Sequence, residues 1–140
     1  MVQVLDYHAT EPLSIFNPGN AFQIPQSPFK ILLASIQINI PSSATLNNRV
    51  ELISTVGVEG ITNIAQIVFR IFRNGQEIYN TQVGAESSDS EINYAFTFQA
   101  IDFNLASGTN FYQLTAENAT PDTQANVVGP VNFSGLAIGW

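Results

Sequence analysis

Hydrophobic and polar residues alternate along most of this chain, and the clearest alternation flanks Asn74-Gly75. Ile67, Phe69 and Ile71 form one apolar row, while Gln66, Val68, Arg70 and Phe72 form the other. A period of two places successive side chains on opposite faces of a strand. Asn-Gly is a strong hairpin signal, because a type I′ turn needs positive φ at both central residues and these two types reach it at least cost. Residues 64–83 therefore read as a two-stranded hairpin. A two-residue loop sets Ile71 opposite Ile78, Val68 opposite Thr81, and Arg70 opposite Tyr79, where guanidinium and ring can stack. The second row is half apolar, which predicts a face partly covered by another sheet or another chain.

The same alternation recurs on both sides of the hairpin. Val2–Tyr7 predicts a first strand and Leu13–Phe16 a short one, with Asn17-Pro18-Gly19-Asn20 between that piece and another short extended piece, Ala21–Ile24. Residues 1–28 thus read as a loop-rich lead-in to a single domain spanning 1–140. In Phe29–Ile40 the residues Leu32, Ala34, Ile36, Ile38 and Ile40 alternate with Ser35, Gln37 and Asn39. In Arg49–Gly57 the residues Val50, Leu52 and Val56 oppose Arg49, Glu51 and Thr55, with Ile53 and Ser54 breaking the purity of both faces; Gly57 and Gly60 then bracket a predicted turn. Ile92–Ile101 sets Tyr94, Phe96, Phe98 and Ala100 against Asn93, Thr97 and Gln99. Thr109–Glu117 repeats the pattern through Tyr112, Leu114 and Ala116, and Thr120-Pro121-Asp122 marks a turn. In Ala125–Trp140, Gly129-Pro130 predicts a bulge or kink. Beyond it Gly135, Ala137 and Gly139 form a small-residue face that lets another backbone approach, against Leu136, Ile138 and Trp140. No helical period of any length occurs. About eight to ten short strands separated by turn signals mean an all-β, antiparallel β-sandwich. A jelly roll is the first expectation and an immunoglobulin-like sandwich the second; the Cys pair around a core Trp that marks true immunoglobulin domains is absent.

Composition changes this picture in one respect. Only 11% of the 140 residues are charged against 45% hydrophobic, where roughly a quarter charged is usual. Asn, Gln, Ser and Thr must build the polar surface, and such a surface tolerates close protein packing. The net charge is −7, with Lys30, Arg49, Arg70 and Arg73 the sole basic side chains beside His8. Four scattered cations cannot neutralise a run of phosphates or hold an anionic lipid surface, so nucleic acid and membrane are not expected partners. The chain has no cysteine, hence no disulfide and no zinc–thiolate site. Met1–His8 carries no secretory leader pattern, and no stretch approaches the roughly 20 apolar residues of a spanning helix.

Candidate chemistry is sparse. Asp6 and His8 share a strand face and could serve a hydrolase, but no Gly-x-Ser-x-Gly accompanies them. Glu86, Asp89 and Glu91 could offer carboxylates to calcium, without EF-hand order, and otherwise form a solvated acidic loop. Asp102 with Glu117 or Glu91 could be imagined as a glycosidase pair, which requires two carboxyls across one cleft. Asn118-Ala119-Thr120 fits a glycosylation acceptor. The expectation is a protein without catalytic, cofactor-binding or metal-binding residues.

Two longer stretches carry a resemblance. Val50–Ile61 (Val-Glu-Leu-Ile-Ser-Thr-Val-Gly-Val-Glu-Gly-Ile), followed by Val-Phe-Arg-Ile-Phe-Arg-Asn-Gly-Gln-Glu-Ile-Tyr, resembles the exosporium protein C family of spore-forming bacilli. The ending Val-Val-Gly-Pro-Val-Asn-Phe-Ser-Gly-Leu-Ala-Ile-Gly, the opening Asp6-Tyr7-His8-Ala9-Thr10, and Phe98-Gln-Ala-Ile-Asp102 are similar to the same family. The resemblance covers nearly the whole chain and implies a non-enzymatic structural or assembly protein of the spore surface, made in the mother-cell cytoplasm without export. Other exosporium proteins resemble C1q/TNF-like jelly rolls, which implies a homotrimer and contacts with other spore-surface proteins. The self-association surface expected from the strand faces is Phe69, Arg70, Phe72, Tyr79, Tyr94, Phe96, Phe98, Tyr112, Leu136, Ile138 and Trp140. The alternative is a carbohydrate- or protein-binding sandwich that uses its end loops.

Overall fold

The structure is a computed structural model and describes residues 1–87 and 92–140. Nine strands form two antiparallel sheets: β1 (Gln3–Leu13), β2 (Phe22–Gln23), β3 (Ile31–Ile40), β4 (Asn48–Thr62), β5 (Ile64–Arg73), β6 (Gln76–Glu86), β7 (Asn93–Phe103), β8 (Gly108–Asn118) and β9 (Gln124–Gly139). One sheet has the order β1-β9-β4-β7, with β2 also paired to β9; the other has the order β3-β8-β5-β6. From β3 onward every connection crosses between the sheets except the β5–β6 hairpin. Two interleaved four-stranded sheets joined in this order are a jelly roll. The all-β sandwich expected from the alternation is therefore present, in the first of its two forms.

The core lies between the sheets. From one side come Ile36, Ile38, Ile67, Phe69, Ile71, Tyr112 and Leu114; from the other come Val50, Leu52, Val56, Phe133 and Ala137. Each fully buried side chain of this size contributes about 1.5–3 kcal/mol relative to leaving it exposed. The small row of β9 points into this core. A Cβ on Gly135 would lie 2.9 Å from Ile36 Cδ1 and 3.2 Å from both Ile38 Cδ1 and Leu52 Cδ2. The small residues thus admit facing side chains, not another backbone as the sequence suggested.

Four local readings are corrected. The Asn74-Gly75 turn has φ of 50° and 84°, as type I′ requires. A bulge between Ile71 and Phe72 then shifts the register, so Ile71 faces Tyr79, Arg70 faces Asn80 and Val68 faces Gln82. The Arg70–Tyr79 stack does not form. In β3 a bulge at Leu33 turns Leu33 into the core and Leu32 out to solvent. The predicted turn at Gly57–Gly60 is instead continuous β4, in which both glycines admit neighbouring backbone: a Cβ would sit 1.9 Å from Gly129 O at position 57 and 2.1 Å from Glu86 O at position 60. The supposed lead-in contains an eleven-residue strand, β1, that runs through Pro12 and replaces the separate Leu13–Phe16 strand.

The two open sides of the sandwich are closed differently. At the β1/β3 side the Asn39 amide donates to Asp6 Oδ2 at 2.7 Å and the Gln37 amide to His8 Nδ1 at 2.9 Å. At the β6/β7 side an aromatic seam links the sheets. Phe69 stacks on Phe98 with centroids 5.0 Å apart, Phe98 on Tyr79 at 6.1 Å, and Tyr94 on Phe96 at 5.4 Å, separations at which rings attract beyond simple area burial.

Candidate assembly surface

The chemistry-bearing residues take structural posts. Asp6 and His8 accept the edge amides of β3 described above, so both are engaged by backbone. Asp102 points between the sheets. Arg73 Nη1 donates to both of its oxygens, at 2.6 and 2.7 Å, and the Tyr112 hydroxyl donates to Oδ2 at 2.8 Å. Burial and the adjacent Asp102 carboxylate push the Tyr112 hydroxyl pKa well upward, so it remains a donor. Glu117 lies on the outer face of the other sheet, in register with Val68. Asp102 and Glu117 therefore do not face each other across a cleft, and the glycosidase pairing fails on geometry. Glu91, and the calcium reading that needs Asp89 and Glu91, lie outside the described residues. Among the described residues no group of three or more His, Asp or Glu side chains could hold a metal. Asn118 is fully buried, and its side-chain amide donates to Thr123 Oγ1 at 3.0 Å, which makes it unavailable to a glycosylating enzyme.

Glu117 anchors an ion-pair network on the outside of the β3-β8-β5-β6 sheet. Arg70 Nε donates to Glu117 Oε1 at 2.6 Å, Ser27 Oγ to Oε2 at 2.6 Å, and Arg70 Nη1 to Glu77 Oε1 at 2.9 Å. Lys30 Nζ lies 5.7 Å from the Phe72 ring centre. The half-apolar face of β5 is thus covered in part by the chain's own 26–30 segment. Burial pushes the Glu117 pKa upward, but the hydrogen bonds from Ser27 and Arg70 outweigh it and hold the group below its ordinary value of 4.5. A carboxylate depressed in the folded state contributes stability that is present above its unfolded pKa and is lost as pH falls through the folded one. Chemical denaturation between pH 3 and 6 should show this. Glu117→Gln is expected to be less stable than wild type at pH 6 by about 1–2 kcal/mol, with the gap narrowing toward pH 3; a constant gap would contradict the ion-pair role.

The residues expected at an interface divide into three groups. Phe69, Phe98 and Tyr112 are buried in the intramolecular core and are unavailable to a partner, a correction to their assignment. Tyr79, Tyr94 and Phe96 are half-buried and pack against the same core. Arg70 and Phe72 are half-exposed on the outer face just described. Leu136, Ile138 and Trp140 belong to the other outer surface. There Leu136 and Ile138 are half-exposed, and Trp140, 51% exposed, has Arg49 Cζ 5.6 Å from its ring centre.

That surface, the outside of the β1-β9-β4-β7 sheet, holds residues the sequence reading did not collect. Register aligns Val4, Ile138, Arg49 and Phe103 in one row and Tyr7, Leu136, Glu51 and Ile101 in the next. Ile53 follows in the third row, beside Ser134 and Gln99. Val4, Tyr7, Ile53, Ile101 and Phe103 are between 43% and 68% exposed. Arg49 and Glu51 form a 3.8 Å ion pair amid them. A shallow depression of about 250 Å³ lined by Tyr7, Glu51, Ile53, Gln99 and Leu136 marks the middle. The signal was present at Ile53, which broke the alternation of β4. It was also present in Ile101 and Phe103, the apolar members of the polar row of β7.

No known family and no curated protein matches the sequence. Solved structures match the fold. A structure of infectious bursal disease virus, Gx strain, aligns with a TM-score of 0.51 at 10% identity, over 95% of this chain and 31% of that one. Infectious bursal virus-derived T=1 particles align with a TM-score of 0.50 at 9% identity, over 96% and 35%. An insecticidal delta-endotoxin from Bacillus thuringiensis aligns with a TM-score of 0.42 at 12% identity, over 76% and 18%. The chain thus spans about a third or less of the length of these matches. At such identities the likeness is one of fold.

Proposed function

We propose that this protein is a non-enzymatic structural component that self-associates, and that it belongs to the outer proteinaceous layer of a bacterial spore. The observation that carries the self-association is the apolar outer face of the β1-β9-β4-β7 sheet, where exposed Val4, Tyr7, Ile53, Ile101 and Phe103 lie in registered rows on β1, β4 and β7, with exposed Trp140 just past the end of β9. Contiguous apolar surface of this kind marks interaction sites. The low-charge surface supports the same reading, since few charges must be desolvated when copies pack. The spore layer comes from the resemblance of the sequence to the exosporium protein C family. Its partners are further copies, with a trimer as the first oligomer, and other spore-surface proteins.

Light scattering on a size-exclusion column tests the reading. The chain is 15.2 kDa, and a species of three times that mass is expected, dissociating when Ile101 and Phe103 are both replaced by serine. A monomer at every accessible concentration would overturn self-association. It would favour instead a sandwich that binds carbohydrate or protein through its end loops.

A further inference from the structure

A closed oligomer is a particle, and a layer needs at least one more contact between particles. Resting on the assembly reading above, we infer that β7 is a strand-pairing edge for a second copy of this chain, joining oligomers through an antiparallel β7–β7 contact.

The four edges of the jelly roll are β1, β7, β3 and β6. An unprotected edge strand is a template for pairing with another chain, and proteins blunt such edges with bulges, proline, charge or a covering element. Three of the four are blunted here. β1 contains Pro12, two register irregularities, and the charges of Asp6 and Glu11. β3 has its Gln37 and Asn39 amides occupied by His8 and Asp6. β6 is bulged near its start and carries Glu77, which pairs with Arg70.

Among the described residues β7 has none of these devices. Its pairing with β4 runs without a register shift from Arg49↔Phe103 to Glu59↔Asn93. Residues 95–103 read Ala-Phe-Thr-Phe-Gln-Ala-Ile-Asp-Phe, with no proline, glycine or lysine. The outward row is Ala95, Thr97, Gln99, Ile101 and Phe103, all neutral. The segment's single charge, Asp102, is turned inward and neutralised by Arg73. On the side away from β4, alternate amides and carbonyls of this segment have no strand partner among the described residues.

The occupant follows from self-complementarity. An antiparallel copy related by a two-fold axis at Gln99 sets Ala95 opposite Phe103, Thr97 opposite Ile101, and Gln99 opposite its counterpart. No like charges meet across this pairing. The same operation places the exposed Ile53, Ile101 and Phe103 of both copies side by side on one continuous outer face. The inward side is already rigid, because Phe96 and Phe98 are locked in the aromatic seam and Asp102 is held by Arg73 and Tyr112.

Hydrogen exchange of the full chain at rising concentration, followed by mass spectrometry, tests this directly on wild type. Amides within 95–103 should exchange at least tenfold more slowly in the higher assembly than in the primary oligomer. Ala95→Lys with Thr97→Lys places lysines on the outward row of β7 beyond the Gln99, Ile101 and Phe103 positions of the primary face. It should abolish that protection and stop growth at the primary oligomer, with thermal unfolding confirming an intact fold. Equal exchange of 95–103 in both states, or wild-type assembly by a folded double variant, would overturn the β7 contact while leaving self-association standing. A wild type that never assembles would overturn both.

Discussion

Asp102→Ala is expected to lower the unfolding free energy by about 3 kcal/mol, among the largest losses of any polar substitution in this chain. The Asp102 side chain sits between the sheets and is 10% exposed. It takes two charge-assisted bonds from Arg73 Nη1 and one from the Tyr112 hydroxyl. Removing it leaves the Tyr112 donor buried in the core and Arg73 partly sheltered without a counter-ion. Truncating one member of a buried pair costs more than the pair itself is worth, because the remaining group keeps its desolvation penalty. Arg73 is 25% exposed at its side chain and can recover some hydration, which places the estimate at the low end of the range for such pairs. A double variant, Asp102→Leu with Arg73→Leu, should therefore lose less than Asp102→Ala alone. Urea denaturation of the single and double variants measures both. A loss below about 1 kcal/mol for Asp102→Ala would mean that the inter-sheet ion pair contributes little. The substitution should also loosen β7 against the opposite sheet, and so weaken the edge contact inferred above.

Gly57→Ala is the second large effect, and it comes from space. The added Cβ would meet Gly129 O at 1.9 Å and Gly129 C at 2.4 Å. Both are main-chain atoms of β9, the strand that β4 pairs with, so no rotamer change relieves the contact. The two central strands of the sheet must move apart. The expected loss is about 3 kcal/mol or more, at the upper end for overpacking. Gly75→Ala is the informative control. Its φ is +84°, but nothing lies within 4 Å of its Cβ, so only the left-handed backbone is penalised, at about 1 kcal/mol. Thermal melts that rank Gly57→Ala well below Gly75→Ala would establish close approach as the cause. The reverse order would contradict it.

The architecture was legible because alternation is a direct readout of a pleated, half-buried strand. The Asn74-Gly75 turn and the alternating rows of β7, β8 and β9 could be read from residue types alone. Register could not. The bulges after Ile71 and at Leu33 insert one residue each, and nothing in the local residue types marks them. Nor could the inward direction of a row be read when both rows hold large residues. In β7 the aromatic row Tyr94–Phe96–Phe98, expected from its residue types at a self-association surface, is the inner one. In β9 the row with the smaller side chains is the inner one, because Ile36, Ile38 and Leu52 fill the space above Gly135. Choosing between rows requires knowing what faces them, and that information lies in distant strands. The same reason hid the post of Asp102, whose partners Arg73 and Tyr112 lie on different strands from it and from each other.

The strand order β1-β9-β4-β7 also bears on how the molecule reaches its folded state. β9 is the last strand in the chain and lies between the first strand and β4. Neither neighbour can complete its hydrogen bonding until β9 arrives, so this sheet cannot grow progressively from its amino-terminal end. The early strands must wait with apolar rows exposed, and the closing event joins segments separated by most of the chain length. Loops of that length are closed late and slowly, and all-β chains dominated by such pairings fold in milliseconds to seconds. Apolar side chains such as Ile36, Ile38 and Leu52, buried in the folded protein, are exposed during that interval, and transiently exposed apolar surface of this kind is aggregation-prone. If the folded chain self-associates as proposed, association would have to be held back until β9 is in place.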